Sequence, residues 1–122
     1  MLHAPGFLKI VNDTRPLVKE IALEEARRRL EQNPQAILLD VREDKEWDKG
    51  HAVRAMHLGK GVLERDIEER ISNKQTEILM YCGGGYRSVL ACEVAQRMGY
   101  SNVFSIEGGY RAMTAANWPA TT

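Results

Sequence analysis

Glu77-Ile78-Leu79-Met80-Tyr81 is an apolar run behind one acidic residue, and it gives way at once to Cys82-Gly83-Gly84-Gly85-Tyr86-Arg87-Ser88. A run this short, apolar throughout and bounded by glycines, reads as a strand buried on both faces. After the glycines the apolar spacing turns helical. Arg87 or Ser88 to Met98 reads as a helix with Leu90, Ala91, Val94, Ala95 and Met98 inward and Gly99 closing it. Strand, tight loop and helix in that order make the unit from which parallel sheets are built.

The same alternation continues outward. Upstream, Lys19–Ile21 is a short strand. Leu23–Gln32 is a helix with Leu23, Ala26 and Leu30 on one face, ended by Asn33-Pro34. Ala36–Val41 is a second apolar strand, Glu43–Lys49 a short helix stopped by Gly50, and Ala55–Leu58 a further strand. Leu63, Ile67 and Ile71 recur every four residues among charges, which predicts an amphipathic surface helix. Downstream come a strand at Val103–Ser105, a turn at Gly108-Gly109 and a helix over Tyr110–Ala116. This order predicts an α/β domain with a parallel sheet and helices on both faces. Residues 1–18 read as an extension punctuated by Pro5, Gly6 and Pro16. Phe7, Leu8, Ile10 and Val11 give it something to bury, against the domain or a partner.

Composition narrows the function. The 122 residues fit one domain, with 43% hydrophobic and 28% charged residues. Seventeen basic and seventeen acidic residues cancel, so no overall field draws the chain to nucleic acid. The Arg27-Arg28-Arg29 cluster is flanked by Glu24, Glu25 and Glu31, which reads as a solvated helix face. No run approaches the roughly 18 apolar residues that span a bilayer, so no membrane partner is expected. The opening Met1-Leu2-His3-Ala4-Pro5-Gly6-Phe7 has neither the charge nor the apolar stretch of a signal peptide, which makes the cytoplasm the expected compartment. Three scattered histidines and two cysteines give no metal-ligand spacing, so no metal and no cofactor are expected.

Ligands of parallel α/β sheets bind beyond the carboxyl ends of the strands, where the Cys82 loop lies. Three consecutive glycines suit a backbone that curls with positive φ and converging N–H groups. At Gly84 a β-branched side chain is expected to crowd such a cradle. The following helix start adds positive partial charge, and together they favour thiolate over thiol at Cys82. That is a nucleophile without a general base. A glycine-rich turn around an inert cysteine is the plainer reading, and Cys, Arg and Ser together at a helix mouth weigh against it. The spacings of nucleotide-phosphate loops are absent.

The loop resembles the active loop of the rhodanese family, with Cys82, Gly85, Arg87 and Ser88 at the family's positions. Leu39-Asp40-Val41-Arg42, Glu46-Trp47 and Gly50-His51 are similar to its upstream signature. Gly99-Tyr100-Ser101-Asn102-Val103 with Gly108-Gly109 is similar to its closing block. The resemblance implies a central, mostly parallel five-stranded sheet flanked by helices on both faces, over residues 19–119. It implies sulfur transfer from a small sulfur-containing anion such as thiosulfate to cyanide or a thiol, through a Cys82 persulfide. A protein sulfur acceptor also fits. Gly83, Gly84, Gly85, Tyr86, Arg87 and Ser88 would bind the substrate, with Asp40 and Arg42 supporting. The chain departs from the family at Ala52-Val53-Arg54-Ala55, where Ile-Pro-Gly-Ala is common, and at Met113, where tryptophan is common.

The remaining residues have bland alternatives. Arg87 either lines an anion pocket or ties the loop to a carboxylate. Asp40 and Arg42 suit pairing within their own segment. Cys92 reads as core filler rather than a resolving thiol, and His51 and His57 as turn and strand-end residues. Lys60 and Arg65 edge the pocket mouth or a solvated face. Two rival functions stand beside the enzyme: a persulfide carrier or binding module with little free turnover, and a cysteine-dependent phosphatase. The phosphatase loop of this fold has five residues between Cys and Arg; here there are four.

Overall fold

A computed structural model describes residues 3–122. Met1 and Leu2, the first residues of the expected extension and of the expected leaderless start, lie outside the described residues. Six helices and seven strands follow in order: α1 Pro5–Thr14, β1 Glu20–Ile21, α2 Leu23–Gln32, β2 Ile37–Asp40, α3 Asp44–Lys49, β3 His51–Ala52, β4 Met56–His57, α4 Leu63–Arg70, β5 Ile78–Tyr81, α5 Arg87–Arg97, β6 Val103–Ile106, α6 Gly109–Ala115 and β7 Ala120–Thr121. Five strands form one sheet in the order β1-β6-β5-β2-β4, parallel throughout. β3 and β7 form a small antiparallel pair that the sequence pattern does not show, because two-residue strands carry no period.

The apolar strands have partners on both faces. Leu39, Met80 and Cys82 meet Leu63, Ile67, Ala91, Cys92 and Tyr100 on one side. Leu38, Leu79, Tyr81 and Ile106 meet Ala26, Leu30 and Met113 on the other. Met113, at the position of the family's tryptophan, is fully buried there. Helix α5 buries Val89, Ala91, Cys92 and Ala95, while Leu90 and Val94 of the expected stripe are half-buried. Its burial is broader than a single stripe because α1 packs along it as well, with Val11 fully buried. The extension is thus mostly helix, docked on the domain. Gly99 closes α5 at φ +101, as expected of a C′ glycine.

Arg54 explains one departure from the family. It occupies the left-handed region at φ +78, where the family has glycine. Its guanidinium donates to the carbonyls of Leu30, Pro34 and Ala36 at 2.9–3.1 Å, around the carboxyl end of α2. A cation there satisfies orphan carbonyls and opposes the helix dipole, which offsets the strained backbone. Arg54→Ala keeps the strain and loses the bonds, so it should cost about 1–2 kcal/mol in urea unfolding. Arg54→Gly should recover about 1 kcal/mol of that loss. A glycine variant no more stable than the alanine variant would show that the backbone at 54 is unstrained.

Candidate active site

Cys82 follows β5 directly, and its side chain is almost wholly enclosed. Its Sγ accepts backbone N–H groups from Gly85 at 3.2 Å and Ser88 at 3.4 Å. Ser88 Oγ lies 3.6 Å from the sulfur and shares a 2.7 Å hydrogen bond with Ser105 Oγ. Two main-chain donors therefore converge on one sulfur at the start of α5, with a buried hydroxyl behind it. Dipoles so aimed stabilise negative charge on sulfur.

The loop turns through Gly85, at φ +92, where a Cβ would press on the Gly108 nitrogen at 3.0 Å. Gly84 is not among the positive-φ residues, and a Cβ there would make ordinary contacts with Tyr86 and Arg111. The expected crowding at Gly84 is therefore corrected to Gly85, since three adjacent glycines do not reveal which one carries the turn. The loop carbonyls face α6: Tyr110 N–H donates to Cys82 O at 2.7 Å and Arg111 N–H to Gly83 O at 3.0 Å. A Cβ on Gly109 would collide with the Cys82 carbonyl. The Gly108-Gly109 turn thus serves the cysteine loop itself.

Residues 22–116 match the Rhodanese-like domain family. The chain belongs to the rhodanese-like sulfurtransferase family. YtwF of Bacillus subtilis, named as a candidate sulfurtransferase, is 31% identical over 104 residues, 84% of this chain and 96% of that protein. YrkF of the same organism, named as a candidate sulfur carrier protein, is 30% identical over 97 residues. That match takes in 80% of this chain and 51% of the relative, so the chain spans about half of YrkF's length. A Rhodopseudomonas palustris protein of unknown function, described as a candidate tyrosine phosphatase, superposes with a TM-score of 0.85 over 99% of this chain and 98% of its own. At 24% identity that likeness is one of fold.

Other expected residues of this rhodanese-like domain are brought together in pairs. Arg87 donates through both Nη atoms to the Glu46 carboxylate, at 2.7 and 3.0 Å, and so ties the loop to α3. Asp40 and Arg42 are buried and joined by a bidentate pair, and Arg42 also donates to Gly50 O at 2.7 Å. Glu46, from the same upstream segment, pairs with Arg87 rather than with Arg42. Tyr86 leans out against the extension: His3 and Phe7 pack on its ring and the Arg15 guanidinium stands 5.4 Å above it. Cys92 is fully buried, and burial pushes its thiol far above the ordinary range. His51 Nδ1 contacts Trp47 O and His57 Nε2 contacts Arg42 O, each at 2.9 Å.

A cleft of about 760 Å³ opens beside the loop, with Phe7, Lys45, Lys60, Val62 and Arg87 among its walls. Arg65 pairs with Asp66 on the exposed face of α4 instead. The pairing of Glu46 with Arg87, and the place of Arg111, are not expected from the sequence, because nothing in local spacing brings α3 or α6 to the glycine loop. The Glu-aromatic step at Glu46-Trp47 was the available signal for the first; the second had none.

Two variants test the turn. Gly85→Ala should lose about 2 kcal/mol in urea unfolding through forced positive φ, and Gly84→Ala less than about 0.5. Equal losses would contradict the assignment of the turn to Gly85. The ion pair is tested by pH. Hydrogen bonding to Arg87 holds the Glu46 carboxyl down at about 2, so the folded state binds a proton less readily than the unfolded chain. Stability from this pair is fully present above the ordinary glutamate pKa of about 4.3 and drains as pH falls through about 2. Glu46→Gln should flatten that acid limb; superimposable stability profiles for the two proteins would refute the coupling.

Proposed function

We propose that the protein transfers sulfane sulfur from an anionic donor such as thiosulfate to a thiol or cyanide acceptor through a persulfide on Cys82. The observation that carries this reading is the pair of main-chain N–H groups aimed at Sγ. They stabilise a thiolate without a base, and neither His51 nor His57 has a ring hydrogen bond to the loop. The thiolate attacks the outer sulfur of the donor. The donor S–S bond breaks, sulfite leaves with the electron pair, and the persulfide keeps the negative charge. The same N–H groups and the loop Gly83–Ser88 then cradle the terminal sulfur until the acceptor thiolate or cyanide takes it. Dividing the transfer into two displacements is covalent catalysis, and fixed donors near the developing charge lower its cost. Asp40 and Arg42 act from behind, fixing the end of β2 to Gly50.

The tie between Arg87 and Glu46 leaves that guanidinium little spare charge for a free anion. This favours, as a second reading, a carrier that takes its sulfur from a partner and turns over slowly alone, as the name of YrkF suggests for that relative. A tyrosine-phosphatase role is disfavoured by loop size: four residues between Cys82 and Arg87 make a ring suited to one sulfur rather than to a phosphate's oxygens. The Cys82 thiolate must stay reduced to take up sulfur, which fits a compartment that keeps thiols reduced, such as the cytoplasm.

Intact mass after incubation with thiosulfate is the direct test. The protein should gain one sulfur atom, lost on adding cyanide, and Cys82→Ser should gain none while remaining folded. Cys92→Ala should load normally, since a buried, protonated thiol has no part in the exchange. Loading that survives Cys82→Ser, or vanishes in folded Cys92→Ala, would refute the mechanism. Loading with negligible free turnover would select the carrier reading.

A further inference from the structure

The glycine loop contains one cation, Arg87, and the structure commits both of its Nη atoms to Glu46. That pair is largely neutralised, while Lys45 and Lys60 bring ammonium groups to the cleft beside the loop. Arg111, on α6, is placed differently. Its backbone N–H is bonded to Gly83 O at 3.0 Å, so its main chain is fixed to the loop. Its guanidinium reaches back over the glycines, such that a methyl group on Gly84 would lie 3.6 Å from Nη1. The side chain is exposed. Among the described residues no carboxylate lies within 4.0 Å of it, whereas Arg87 and Arg42 each have one and Arg29 has two. Arg111 thus supplies uncompensated positive charge on the outer face of Gly83–Gly84.

We propose that Arg111 is the specificity-determining cation of the sulfur site, holding the oxygens of an anionic sulfur donor while Cys82 takes its outer sulfur. This deepens the sulfur-transfer reading above and rests on it for the reaction. The thiolate forms the new S–S bond, the donor's S–S bond breaks, and the electron pair leaves on the sulfite-type fragment whose oxygens Arg111 holds. A planar guanidinium matches two oxygens of such a fragment as it matches a carboxylate, whereas an ammonium supplies charge without the fork.

Two measurements on the full chain test the assignment. Sulfur loading is followed by mass across thiosulfate concentrations. Alkylation of Cys82 is compared for iodoacetate and iodoacetamide, which are alike in size and differ in charge. Arg111→Ala should raise the half-saturating thiosulfate concentration about tenfold, the size of one lost charged hydrogen bond, with a smaller change in limiting rate. It should also lower the iodoacetate-to-iodoacetamide rate ratio several-fold, with Arg111→Lys between the parent and Arg111→Ala. An unchanged half-saturation and an unchanged ratio would overturn the proposal. Equal loss with both alkylating agents would also overturn it, because that pattern marks simple support of the loop. If the parent takes no sulfur from thiosulfate yet keeps an Arg111-dependent alkylation ratio, the sulfur-transfer reading fails and the anion-recruiting role of Arg111 stands.

Discussion

Two backbone hydrogen bonds hold the Cys82 loop against the start of α6, and they close because Gly109 has no side chain to keep the two main chains apart. The carbonyls of Cys82 and Gly83 are satisfied on that side. The curl through Gly85 then brings two N–H groups round to the sulfur. A peptide chain cannot present converging donors on one face unless its carbonyls are provided for elsewhere. The rest of the domain supplies that provision: β5 and β6 lie side by side in the sheet, and β6 delivers Gly108 and Gly109 to the place the loop needs them.

Ionic contacts add a second layer of fixation around this backbone joint. Asp40 and Arg42 sit at the end of the strand beside β5, buried and bonded to each other and to Gly50. Arg42 also lies 4.2 Å from the ring centroid of Tyr110, whose own N–H holds Cys82. On the other flank Glu46 anchors Arg87, the last loop residue before Ser88. Burying a charge costs free energy unless its partners are complete, and no buried side-chain polar atom among the described residues lacks a partner. The pairs are therefore complete where they fix the loop and the strand beside it.

Much of this was legible in the sequence where local periodicity governs. The stretches expected as strands at Ala36–Val41 and Glu77–Tyr81 contain β2 and β5, packed on both faces, and the four-residue repeat through Leu63 and Ile67 is α4. The cysteine loop was legible as a tight curl that turns N–H groups toward the sulfur, because its glycines and the helix start are contiguous. What escaped is non-local or a matter of single torsions. Three glycines in a row conceal that Gly85 makes the turn, Arg54 hides a left-handed backbone behind a long cationic side chain, and Glu46 reaches Arg87 across forty-one positions. The burial of α5 spread past its expected stripe for the same reason: the covering helix is far away in the chain.

The docking of α1 has a further consequence. The family pattern begins at residue 22, whereas the three groups that pin the Tyr86 ring, His3, Phe7 and Arg15, all precede it. The side chain at the rim of the cysteine loop is thus held by residues that lie outside the family match. A substitution at His3, Phe7 or Arg15 therefore alters the rim of the cysteine loop without touching any residue inside the family match.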